Sequence, residues 1–121
     1  MRKGRSTAAR RAIADGIHRA MVATIDVPAD DRFQVISEHD EDGLIFDPTF
    51  PGIARSDGYV VIQIALRHGR TAEKKRALYR AIVENLAADP GVRPQDVMVS
   101  LVENEPIDWS FGEGVAQYAP A

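Results

Sequence analysis

An internal repeat limits this chain more than any other feature. Gly4-Arg5-Ser6 opens a helical pattern that leads to Asp31 and Glu38, and Gly69-Arg70-Thr71 opens a matching pattern that leads to Asp96 and Glu103 at one constant offset. The second copy follows an apolar run, residues 59–66. The first has only Met1-Arg2-Lys3 before it, so the counterpart of that run falls almost wholly ahead of Met1. The chain reads as two versions of one unit, the first without its opening strand.

Ser6 is a helix cap, and Ile13, Ile17, Met21 and Ile25 then recur every four residues, which predicts an amphipathic helix over residues 7–24. In the second copy Thr71 caps, Glu73 sits where the helix dipole favours a carboxylate, and Leu78, Ala81, Ile82, Asn85 and Leu86 form the inward face. That helix ends near Asp89-Pro90-Gly91. Strands are predicted at residues 32–37 and 97–102. Strand, helix, strand is a βαβ unit with parallel strands. The fold class is therefore α+β, an α/β sandwich of tandem βαβ units with pseudo-twofold symmetry and a missing or truncated first strand. The expected organisation is a single domain over 1–121: an incomplete copy at 1–38, a complete copy at 59–103 and an aromatic flap at 104–121. Residues 38–58 read as a long loop with one small edge strand at Leu44-Ile45-Phe46.

A chain of 121 residues, 45% hydrophobic, suffices for one core. It has no cysteine, which removes disulfides and thiolate chemistry and agrees with a cytoplasmic protein. A net charge of -3 gives no reason to expect nucleic-acid binding. The basic residues Arg2 to Arg19 interleave with periodic apolar ones, as on a solvated helix face, and no run approaches the roughly 20 apolar residues that cross a bilayer.

Arg67 and Arg70 flank His68-Gly69 at the carboxyl end of a parallel strand, where open α/β sheets bind ligands. Two guanidiniums at a helix start suit a carboxylate or phosphate. His18, His39 and His68 lack metal-ligand spacing, residues 38–42 read as a solvated acidic run, and Gly112-Glu113-Gly114 is too short for a dinucleotide fingerprint. Asp108-Trp109-Ser110-Phe111-Gly112 places two large aromatics in a glycine-rich segment, which calls for an apolar surface to pack on.

Asp31-Arg32-Phe33-Gln34, Arg67-His68-Gly69-Arg70-Thr71, Val102-Glu103-Asn104 and the Trp-Ser-Phe-Gly segment together resemble the tautomerase superfamily, in its malonate semialdehyde decarboxylase-like branch. The resemblance implies a homotrimer of tandem βαβ chains and cofactor-free chemistry on small keto or enol carboxylic acids, with no nucleic-acid or membrane partner. It implies that Asp31 orients or activates water, and that Arg67 and Arg70 are the substrate arginines, although one residue is inserted between them relative to the family's Arg-Pro-Arg. Trp109, Phe111 and Tyr118 resemble the wall that keeps water from the reacting centre.

The family's amino-terminal proline has no counterpart here. Met1 matches the end of the missing strand, a strand length from where the working amine belongs, whereas proton transfer needs contact at about 3 Å. The expectation is therefore an impaired enzyme, with a start upstream of Met1 as the favoured explanation. The alternative is a non-catalytic trimeric protein that binds a small carboxylate.

Overall fold

The computed structural model describes residues 1–119, and the repeat is plain in its helix starts. Helix α1 (Thr7–Thr24) begins where Ser6 Oγ accepts from Ala9 N–H, and helix α2 (Ala72–Ala88) begins where Thr71 Oγ1 accepts from Lys74 N–H. Each cap satisfies an otherwise unpaired amide and contributes about 1 kcal/mol. The two capping bonds are 65 residues apart, as are the two glycine-arginine openings.

Strand β1 (Val60–Arg67) pairs in parallel with strand β2 (Val97–Asn104), in register from Val60↔Val97 to Arg67↔Asn104. Its side chains alternate. Val60, Ile62, Ile64 and Leu66 point into the helices, while Val61, Gln63 and Ala65 point away. Leu78, Ile82 and Leu86 from α2 meet them with no exposed surface, each such burial being worth about 1.5–3 kcal/mol. The helices cross closely at Gly16: a Cβ there would lie 3.0 Å from Leu86 Cδ1, and the Gly16 carbonyl accepts from Asn85 Nδ2 at 2.9 Å.

The first copy keeps only the end of its ladder. Arg2 and His39 form an isolated parallel bridge, and Lys3 N–H donates to His39 C=O at 3.0 Å. The corresponding bond in the second copy runs from His68 N–H to Asn104 C=O at 2.8 Å, beside the pair Arg67↔Asn104. The tandem, pseudo-symmetric α+β arrangement is thus present.

Two local expectations are corrected. Residues 32–37 do not form a strand: among the described residues, the backbone of residues 33–36 makes no hydrogen bond to other backbone, and a strand exists only where a ladder pairs it. Side chains hold this segment instead. Arg32 Nη2 donates to Asp15 Oδ1 at 2.6 Å, Arg32 Nε to Gln34 Oε1 at 2.8 Å, and Gln34 Nε2 to the Ala14 carbonyl at 2.8 Å. Leu44-Ile45-Phe46 forms no edge strand either. It lies among turns, with Phe46 packed on Tyr59 at 4.6 Å between ring centroids and the Arg2 guanidinium 4.9 Å from the Phe46 centroid.

Candidate active site

A cleft of 990 Å³ lies between residues 31–37 and β1, floored by Ile13, Ile17 and Met21 of α1. Asp31, Arg67, Arg70, Trp109, Phe111 and Tyr118 all line it. Local chemistry explains how each arrives there. β1 ends at Arg67, and Gly69, with a φ of 119°, turns the chain into the Thr71 cap, which sets Arg67 and Arg70 around one corner. After β2, the 3-10 turn Pro106–Asp108 redirects the chain so that Trp109 Nε1–H donates to Asn104 Oδ1 at 2.6 Å.

The aromatics form one cluster. Trp109 and Phe111 stack at 5.4 Å, Phe111 and Tyr118 meet edge to face at 5.0 Å, and Phe33 joins Phe111 at 5.8 Å. The Arg67 guanidinium lies 3.8 Å above the Tyr118 ring centroid, a cation–π contact that leaves its N–H fork without a hydrogen-bond partner among the described residues. Arg70 is held differently, since its Nε donates to the Ile25 carbonyl at 3.1 Å and its Nη1 to the Arg67 carbonyl at 3.0 Å. Both guanidiniums line the cleft, and Arg70 also braces the corner on which Arg67 sits.

Asp31 lines the cleft, whereas Asp96, its counterpart in the repeat, is buried: Asp96 Oδ1 accepts from Ser56 N–H at 2.7 Å and Oδ2 from Ser56 Oγ at 2.5 Å. One aspartate pins a loop and the other faces open space. The Met1 amine donates to the Ser37 carbonyl at 3.0 Å. Partial burial, then the positive charge of Arg5, lowers its pKa below the usual amine value, and Glu38 opposes them. Its neighbours Arg2 and Arg5 reach Asp57 and the Gly58 carbonyl, both at 2.7 Å, so Met1 lies beside the start of β1. Arg67 is at the other end of that strand, on the order of 20 Å away at about 3.3 Å per residue.

Sequence reasoning missed Phe33 as part of the wall, although its motif was in view, and missed Asn104 as the indole's anchor. Phe33 follows Asp31 by two residues, the spacing of one strand face, which is the signal that could have found it. The histidines play local parts: His18 Nε2 sits 2.9 Å from the Ala29 carbonyl, and His68 Nε2 is 2.9 Å from Glu105.

Two capped helices over a parallel strand pair, with arginine and aromatics at the strand's carboxyl end, define a βαβ-type enzyme scaffold. The comparisons then give the family. A family model described as Tautomerase enzyme matches residues 31–112, and another with the same description matches residues 1–53. Probable tautomerase YusQ of Bacillus subtilis (strain 168) is 39% identical over 97% of this chain and 92% of its own length. Probable tautomerase YrdN of the same organism is 37% identical over 96% and 89%. Among solved structures, a malonate semialdehyde decarboxylase described with decarboxylase and hydratase activities is 37% identical, with a TM-score of 0.92 over 98% of this chain and 91% of that one. FG41 malonate semialdehyde decarboxylase, inhibited by 3-bromopropiolate, is 44% identical, with a TM-score of 0.90 over 97% and 88%. The chain belongs to the tautomerase family. No helix of the described residues is long and apolar enough to cross a membrane.

Proposed function

We propose that this chain is a cofactor-independent, decarboxylase-like tautomerase acting on small keto or enol carboxylic acids. One observation carries the reading: a guanidinium without a hydrogen-bond partner among the described residues, a carboxylate and an aromatic wall line the same cleft. Arg67 holds the substrate carboxylate through its free fork, Arg70 positions Arg67, and Asp31 orients water or takes part in proton transfer. Trp109, Phe111 and Tyr118 lower the local dielectric, which strengthens the arginine's pull on developing negative charge. The Met1 amine sits on the order of 20 Å from Arg67, a strand length at about 3.3 Å per residue, so it takes no part in proton transfer at the Arg67 end of the cleft. A trimer is the proposed working unit, because a fused 4-OT of similar fold, 25% identical with a TM-score of 0.77, forms an asymmetric trimer.

The test follows enol-keto conversion of a phenylpyruvate-like acid and decarboxylation of malonate semialdehyde. Arg67→Ala should lower kcat/KM at least about 100-fold, the scale of losing one charge-stabilising donor, while acetylation of the Met1 amine should leave it unchanged. Loss of turnover on acetylation would show that the Met1 amine takes part in the chemistry and would refute this assignment. The placement of Met1 also favours a second reading, a non-catalytic carboxylate-binding protein. Saturable carboxylate binding that Arg67→Ala abolishes, with no turnover of either acid, would select it.

A further inference from the structure

We propose that the Asn104 side chain is a positioning residue for the Arg67 guanidinium, acting across the rings of Trp109, Phe111 and Tyr118. This deepens the proposed function, which gives the arginine its task of holding a carboxylate. Asn104 and Arg67 are ladder partners, and the Asn104 carbonyl accepts from His68 N–H at 2.8 Å, so the two side chains start from one rung of the sheet. An indole nitrogen only donates, which turns Oδ1 of the Asn104 carboxamide toward Trp109 Nε1–H at 2.6 Å. Trp109 stacks on Phe111 with the ring planes 11° apart, Phe111 meets Tyr118 at 84°, and the Tyr118 ring supports the Arg67 guanidinium at 3.8 Å. The path closes on the rung where it began.

The aromatic segment is stiff within itself and lightly held to the rest. Gln117 Oε1 accepts from Phe111 N–H at 2.9 Å and its Nε2 donates to the Gly112 carbonyl at 3.1 Å, across a turn in which Gly112, Glu113 and Gly114 all have positive φ. Phe111 and Tyr118 are thereby carried on one closed loop. Beyond the Pro106–Asp108 turn that leads into it, segment 109–119 makes one hydrogen bond to the rest of the chain among the described residues, the indole to Asn104. β2 ends at Asn104, so no ladder fixes the segment either. The contact of Phe33 with Phe111 adds attraction without direction. A closed loop on one directional tether takes its orientation from that tether. Arg70 is fixed by the Ile25 and Arg67 carbonyls, whereas the guanidinium of Arg67 rests on the Tyr118 face that the loop carries.

The experiment follows the Arg67 Nε–Hε resonance in proton–nitrogen correlation spectra, assigned by its loss in Arg67→Lys, because a proton held over an aromatic face is shielded. In the wild-type protein this resonance should lie upfield of arginines that face no ring, and Asn104→Ala should return it to their range. Trp109→Phe, which keeps an aromatic ring and removes the indole N–H, should do the same, and the double variant should go no further, as for two ends of one interaction. The affinity for malonate, a carboxylate with no ketone to enolise, is measured by calorimetry and should fall about fivefold in all three variants, the scale of freeing one long side chain. A resonance that stays in place in the single variants overturns the proposal, as does a double variant that moves it further than either. Should Asn104→Ala fail to fold, Trp109→Phe decides alone. The resonance requires neither ligand nor turnover: if it moves as expected while malonate does not bind even the wild-type protein, Asn104 still positions Arg67 and the proposed function is what fails.

Discussion

The two halves share a plan, down to their helix caps, yet several equivalent pairs stand in different surroundings. Arg2 and Arg67 occupy the same place at the end of a strand. Arg2 is neutralised by Asp57 and packed on Phe46, while Arg67 rests on Tyr118 with its fork open to the cleft. Asp96 is buried on Ser56, while Asp31 faces the cleft. Ile82 and Leu86 are sealed against β1, but their counterparts Ile17 and Met21 are partly buried and look into the gap. Equivalent positions of a duplicated fold thus carry different duties: those around α2 and β1 seal the core, and those on α1 border the cleft.

The largest effect that tests this division lies in the helices. Ile82→Ala should cost about 2–5 kcal/mol, because it empties a closed site that the surroundings refill only partly. Ile17→Ala at the equivalent position should cost less than about 1.5 kcal/mol, since its side chain already borders open space and its loss encloses no new cavity. Urea midpoints at unchanged m-value measure both. Equal costs would mean that the cleft is closed in solution, and the contrast between halves would disappear.

The aspartates give a smaller contrast. Asp96→Ala strands the amide and hydroxyl of Ser56 and should destabilise by about 1–3 kcal/mol. Asp31→Ala breaks no hydrogen bond among the described residues and should stay within about 0.5 kcal/mol of wild type in the same measurement. A destabilised Asp31→Ala would give this carboxylate a structural duty and weaken its assignment to chemistry.

What was legible in the sequence follows the range of the interactions. The helices came out within a residue because caps and four-residue periodicity are local, and β1 and β2 were found because their apolar runs border a helix of the same copy. Residues 32–37 have the composition of a strand, but a strand needs a partner, and the partner's absence undid the pairing. The six candidate site residues were gathered into one cleft by resemblance to a family, since no spacing in the chain relates Asp31 to Tyr118. The bracing role of Arg70 could not be read beforehand, because it depends on carbonyls of Ile25 and Arg67 that only the folded corner brings within reach.

The smallest effect concerns a pair of ion pairs set at the repeat offset, Arg10 with Glu38 and Lys75 with Glu103. The hydrogen bond from Lys75 holds the Glu103 carboxyl below the usual carboxylate range; desolvation opposes it, and the charges of Lys75, His68 and Arg70 add to the lowering. The unfolded chain therefore takes up the proton at a higher pH than the folded one. This contribution to stability is complete above about pH 4.3, the ordinary value of a free glutamate, and is lost as pH falls through the lower folded value. Glu103→Gln should lower Tm slightly at pH 7 and flatten the decline of Tm between about pH 5 and 3. Because Glu103 lies on a laddered strand, that change is expected in the cooperative unfolding of the whole chain. An unchanged acid slope would mean that Lys75 and Glu103 are solvated separately, and that the complete half gains its firmness from backbone pairing and packing alone.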